Sequence, residues 1–131
     1  MQLVLDTNIV VSALVYGGKP GEVLELARTS KIQAVYSESI LAEILRVLEV
    51  KFQFGGPRLQ IVKKLFGKRM ILVKPEQRLH ILADEPDNRI LEAAVAGGCG
   101  YIITGDKLLL KLEIYQEIRI LNADQSLKLF F

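Results

Sequence analysis

Leu3-Val4-Leu5-Asp6-Thr7-Asn8 is the stretch that decides the fold of this 131-residue chain. Its short apolar run reads as a buried strand, and the run ends on an aspartate. A second run, Tyr101-Ile102-Ile103, ends the same way, in Thr104-Gly105-Asp106. In a parallel sheet, side chains just beyond the carboxyl ends of the strands converge on one crevice, where ligands bind. Two aspartates at two such ends, about a hundred residues apart, are therefore expected to meet in space. Converging carboxylates repel each other, and a hard cation is the usual reason to assemble them.

Outward from these two runs, short strand-like segments alternate with helical ones. Strands are expected at 2–5, 33–36, 70–73, 101–103 and 118–121, and helices at about 8–15, 20–30, 38–50, 58–67, 88–96 and 107–112. Pro20 suits the first turn of one helix and Gly97-Gly98 the end of another. Alternation of this kind predicts a three-layer α/β/α sandwich with a mainly parallel central sheet. No linker or repeat interrupts it, so residues 1–131 are expected to form a single domain.

Composition narrows the class. Half of the residues are hydrophobic, and mean hydropathy is +0.29, which excludes a disordered chain. No apolar stretch approaches the roughly 18–20 residues of a membrane span, and the start lacks the basic and apolar regions of a signal peptide. The single cysteine, Cys99, permits no internal disulfide, and the expected location is the cytoplasm. Net charge is only +2, but it is unevenly spread. Residues 51–74 carry seven basic side chains and no acid, leaving ten basic against 15 acidic residues elsewhere. A basic segment beside an acidic site suits a phosphate-bearing polymer, with Lys63, Lys64, Lys68 and Arg69 guiding its backbone; a solvated helix face is the alternative.

Two helices carry further acids in informative places. In 38–50, Ile40, Leu41, Ile44, Leu45, Val47 and Leu48 form an apolar stripe, and Glu43 falls on its rim beside Val47. Asp87 stands at the start of the 88–96 helix, in line with Ile90, Leu91, Ala94 and Val95. Each acid has a structural explanation when taken alone. Asp6, Asp87 and Asp106 could cap the helices that follow them, and Glu43 could pair with a nearby lysine. Capping and pairing do not explain why two strand ends and two packed helix rims all carry carboxylates.

Taken in order, these segments resemble the PIN-domain nucleases, in particular their short prokaryotic members, which include toxins of VapC-type toxin–antitoxin pairs. The resemblance spans nearly the whole chain. It rests on Leu3–Asn8 running into Val11-Ser12-Ala13-Leu14, on Ser37–Leu48, on Pro86-Asp87-Asn88-Arg89-Ile90-Leu91 with Ala93-Ala94, and on Thr104-Gly105-Asp106-Lys107 with Leu109. The resemblance implies that Asp6, Glu43, Asp87 and Asp106 are the catalytic acids and metal ligands. It also implies that Asn8 helps to orient the site and that Thr104 is the hydroxyl beside the last acid. Asn88 stands where some members carry a second aspartate, which leaves one charge fewer. The implied activity is Mg²⁺- or Mn²⁺-dependent hydrolysis of RNA phosphodiester bonds, with single-stranded RNA as substrate and a cognate antitoxin as partner. The apolar tail Leu127, Leu129, Phe130, Phe131 could extend a homodimer or partner surface, although core packing is its commoner use.

Other chemistries fit poorly. His80 is the only histidine and Cys99 lies in Gly-Gly-Cys-Gly, so neither a catalytic triad nor a Cys/His zinc site can be assembled. No Gly-rich loop ending in Lys-Ser/Thr is present. An aspartyl phosphoryl-transfer enzyme would carry a second acid two positions after the first, where this chain has Asn8. The non-enzymatic rival is a catalytically weak PIN-like module that binds RNA or a partner protein.

Overall fold

The computed structural model describes residues 2–130; Phe131, one of the four apolar tail residues, lies outside the described residues. Elements follow in the order β1 (Gln2–Leu5), α1 (Thr7–Val15), α2 (Gly18–Arg28), β2 (Gln33–Tyr36), α3 (Glu38–Phe52), α4 (Gly56–Arg69), β3 (Ile71–Leu72), α5 (Glu85–Ala96), β4 (Tyr101–Ile103), α6 (Lys107–Leu112), β5 (Ile114–Tyr115), β6 (Ile118–Leu121) and α7 (Ala123–Phe130). The strands form one sheet in the order β3-β2-β1-β4-β6-β5, parallel except for the β5–β6 pair. From β1 the chain steps through β2 to the β3 edge, then returns to the other side of β1 for β4. Right-handed crossovers in opposite directions place their helices on opposite faces of a sheet. The expected α/β/α architecture is thus present.

The central strands show why the sheet is covered on both sides. Leu3, Val4 and Leu5 are buried in succession, as are Ala34, Val35 and Tyr36, and Ile102 and Ile103. Continuous rather than alternating burial is the mark of a parallel strand sandwiched between helices. Helix α5 packs against β1, β2 and β4, and every residue from Asp87 to Ala94 is buried. Its C-cap, Gly97, is required by close approach: a Cβ there would sit 3.0 Å from Val35 Cγ2 and 3.1 Å from Cys99 Sγ.

Two elements lie outside the sequence expectation. Strand β5 is only two residues long and follows Glu113, whose φ of 60° turns the chain back on itself. Helix α7 occupies the apolar tail. A capping box starts it, with Asn122 Oδ1 accepting from the Gln125 N–H at 2.8 Å and Gln125 Oε1 accepting from the Asn122 N–H at 2.9 Å. Leu127 and Phe130 then pack on the core, Phe130 edge-on to Tyr101 at 5.4 Å, while Leu129 is exposed. Among the described residues no helix is long and apolar enough to cross a membrane.

Candidate active site

The strand order reverses between β1 and β4, so the crevice of this sheet opens at the carboxyl ends of those two strands. Both sequence-predicted strand-end aspartates are there. The Asp6 N–H donates to Ile103 O at 2.9 Å, which fixes it beside the end of β4. The fully buried Thr104 ties the pair together. Its hydroxyl donates to Asp6 Oδ2 at 2.6 Å and accepts from the Asp106 N–H at 3.0 Å. Asp106 also caps α6, since its Oδ1 accepts from the Leu108 N–H at 2.8 Å. Capping occupies one of its two oxygens. Asp6 precedes α1 but makes no side-chain cap, so its carboxylate is committed to Thr104 instead.

Helix α5 supplies the other side. It leads into β4 through the short connection 97–100 and packs on that strand, so its first turn lies toward the carboxyl end of β4. Asp84 is its N-cap residue and Asp87 lies in its first turn. One oxygen each from Asp84, Asp87 and Asp106 lie within 4.8 Å of one another. Asp87 is only 4% exposed, and its Oδ2 is buried without a hydrogen-bond partner among the described residues. Burial, reinforced by the charges of Asp106, Asp84 and Asp6, pushes its carboxyl up to about 7. Burial also raises Asp6, against the opposing hydrogen bonds from the Thr104 hydroxyl and the Thr7 backbone. None of the four acids has a basic partner among the described residues. A buried carboxylate gathered with two more carboxylates, with no basic partner among the described residues, fits a divalent cation. A donor set made only of oxygens favours Mg²⁺, Mn²⁺ or Ca²⁺ over softer metals.

The remaining candidates lie apart from this cluster. Glu43 is half-buried on the rim of α3, as its spacing predicts, but Arg46 holds it through bonds of 2.8 and 3.2 Å. Its carboxylate lines the cleft between α3 and α5. Asn8 is exposed on α1. Asn88 is fully buried and braces the segment before α5: its Oδ1 accepts from the Ile81 and Leu82 N–H groups at 3.1 and 2.8 Å, and its Nδ2 donates to Leu82 O at 2.8 Å. Arg89 and Glu92, also buried, pair at 2.9 Å and hold Leu79 from both sides. Asn88→Ala would leave these backbone groups unpaired, and a stability loss of about 2–4 kcal/mol is expected in urea unfolding.

Asp84 is the member that stands outside the acids expected from the sequence. It ends an irregular segment with no periodicity, and only its three-residue spacing from Asp87 hinted that both share one end of a helix. His80 is exposed and 3.6 Å from Glu85, away from the cluster. The Cys99 thiol is buried and pushed up to about 12 by that burial, so it is a framework residue. Lys63, Lys64, Lys68 and Arg69 are all exposed on α4. Lys68 and Arg69 immediately precede β3, which parallels β2. They therefore stand at the opposite end of the sheet from the acids.

Residues 2–108 match the family model of the PIN domain. The chain belongs to the PIN-domain nuclease family. Comparison with curated proteins gives no sequence match. Among solved structures, the fold is similar to VapBC2 from Rickettsia felis bound to a DNA fragment from their promoter, with TM-score 0.64 and 19% identity over 93% of this chain and 98% of that one. VapBC-1 from nontypeable Haemophilus influenzae gives TM-score 0.65 and 16% identity over 95% and 99% of the two chains. The PIN domain endonuclease Utp24 gives TM-score 0.57 and 21% identity over 92% and 84%.

Proposed function

We propose that this chain is a single-domain, metal-dependent endoribonuclease and the toxin component of a toxin–antitoxin pair, working in the cytoplasm. The observation that carries the hydrolase reading is the buried Asp87, which brings one oxygen within 4.8 Å of oxygens of Asp84 and Asp106, beside Asp6, with no basic partner among the described residues. Asp6, Asp84, Asp87 and Asp106 would hold Mg²⁺ or Mn²⁺, which supplies charge stabilisation and a more acidic water at the scissile phosphate. The protein's own part is to hold those oxygens in place. Thr104 orients Asp6 through a 2.6 Å bond, and the α6 cap fixes Asp106. Helix α5 presents Asp87 from a position that excludes water. Glu43 would act at the margin of the site, with Arg46 keeping its charge balanced. No side chain is placed as a nucleophile, so water is the attacking group. Cleavage should stop in excess EDTA, resume with Mg²⁺ or Mn²⁺, and leave 5′-phosphate ends. A 2′,3′-cyclic phosphate product would contradict water attack.

The exposed α4 face would serve as a distal surface for RNA phosphates. Neutralising Lys63 and Lys64 should weaken binding across all sequences and flatten its salt dependence by up to about 0.7 per lost single-strand contact. An unchanged slope would return α4 to the status of solvated surface. Likeness to VapBC structures supports an antitoxin partner. Such a partner would silence the acids by inserting an arginine in bidentate contact with them. Suppression of activity by a co-expressed neighbouring protein tests this; activity that no neighbour suppresses would remove the toxin assignment and leave the hydrolase standing. Homodimerisation through the exposed Leu129 region of α7 is checked by light scattering, where a monomer at all concentrations would exclude it.

A further inference from the structure

Two clefts flank the acid cluster, and they differ in chemistry. The first, about 370 Å³, opens between α3 and α5 beside Thr7, the neighbour of Asp6. Its wall carries Ser39 and three arginines, of which two are already engaged: Arg46 pairs with Glu43, and Arg89 pairs with Glu85 and Glu92. Arg78 has no salt bridge among the described residues and is exposed at the cleft. Its guanidinium is a bidentate donor available to a phosphate, and Ser39 adds a hydroxyl to the same cleft. The second cleft, about 350 Å³, contains Asp84 and Asp87 in its own wall. The rest of it is a ledge of Leu82, Leu108 and Leu112 with Lys111 at the rim. Leu108 is 57% exposed, an apolar surface standing open beside a carboxylate cluster.

A nucleic-acid strand alternates charged phosphates with flat apolar bases, so a site that cuts between two nucleotides has to hold one on each side. We propose that the two clefts are the flanking-nucleotide subsites of a single-stranded substrate. Arg78 with Ser39 grips the phosphate on one side, and the Leu82–Leu108–Leu112 ledge takes a base on the other. This rests on the hydrolase reading of the acids between them. Only an unpaired base can leave its stack to lie on the leucines, so the ledge selects single strands over duplex. Arg78 contributes through charge and the ledge through contact area, which gives the two sides different salt dependences.

The test is fluorescence anisotropy with labelled single-stranded RNA lengthened one nucleotide at a time from a dinucleotide, in Ca²⁺, alongside the same sequence as a duplex. Affinity of the wild type should rise with length until both clefts are filled and then level off, and the duplex should bind more weakly. Arg78→Ala should weaken binding about tenfold, lower the salt dependence and cancel the gain from one added nucleotide. Leu108→Ser should cancel the gain from a different nucleotide and leave the salt dependence unchanged. Wild-type affinity in both variants, equal binding of duplex and single strand, or no binding at all overturns the subsites. The same oligonucleotides are then incubated with Mg²⁺. RNA that binds with these dependences but is never cut refutes the hydrolase reading and leaves the subsites intact. Cutting that ignores both variants does the reverse.

Discussion

Asp87→Asn will abolish cleavage and at the same time raise the melting temperature of the metal-free protein. The two effects share a cause. Asp87 is buried with one oxygen unpartnered, and its near neighbours are Asp106, Asp84 and Asp6. Like charges about 4 Å apart repel by roughly 1 kcal/mol in water and about 4 at an effective dielectric of 20. Asparagine keeps the shape, removes the charge and offers an N–H to the surrounding carboxylates. A gain on the order of 1 kcal/mol is expected in EDTA, with activity lower by about 10²–10³-fold or more. Asp106→Asn should behave alike, because asparagine caps α6 as well as aspartate does. If these acids were only structural, Asp87→Asn would lower stability, Asp106→Asn would leave it unchanged because asparagine caps equally well, and Mg²⁺ would be irrelevant to all three proteins. Thermal melts in EDTA and in Mg²⁺ separate the two forecasts.

The second large effect is on pH dependence. Asp87 sits near the usual carboxylate value of 3.8 when unfolded and at about 7 when folded. Between these values the folded protein holds a proton that the unfolded chain has lost. Stability of the metal-free protein should therefore fall as pH rises from about 4 to about 7, by a few kcal/mol in all. Asp6 is shifted in the same direction and adds to the trend. A bound divalent cation takes the place of the proton, so in Mg²⁺ the decline should flatten or reverse. Urea unfolding of wild type and Asp87→Asn at pH 5 and 7.5, with and without Mg²⁺, measures the difference. A wild type whose stability falls no more steeply with pH than that of the variant would show that Asp87 is an ordinary carboxylate.

What was legible in the sequence follows from the physics of each element. Asp6 and Asp106 were readable because strand ends of a parallel sheet converge wherever the strands are adjacent, and β1 and β4 are. Asp87 was readable from helical periodicity, which aligned it with the buried face of α5. The same periodicity placed Glu43 on the rim of α3 but could not say that Arg46, three residues on, would hold it there. Asp84 was opaque because the segment leading to it has no repeat; its path is set by Asn88, Arg89 and Glu92, reaching back from the helix. The basic run on α4 was visible as composition, yet composition carries no direction. Only the parallel β2–β3 pairing shows that Lys68 and Arg69 stand at the other end of the sheet from the acids. Helix α7, only eight residues long, spans too few turns for its apolar spacing to stand out from the apolar tail, although Asn122 and Gln125 spell a capping box.

The central claim is that Asp87 and its neighbours bind a divalent cation, and Mn²⁺ binding followed by electron paramagnetic resonance tests it without a substrate. The wild type should deplete free Mn²⁺ saturably, Asp87→Asn should lose that binding, and Glu43→Gln should largely retain it. Equal Mn²⁺ affinity in the wild type and Asp87→Asn, or no saturable binding in either, would contradict the account.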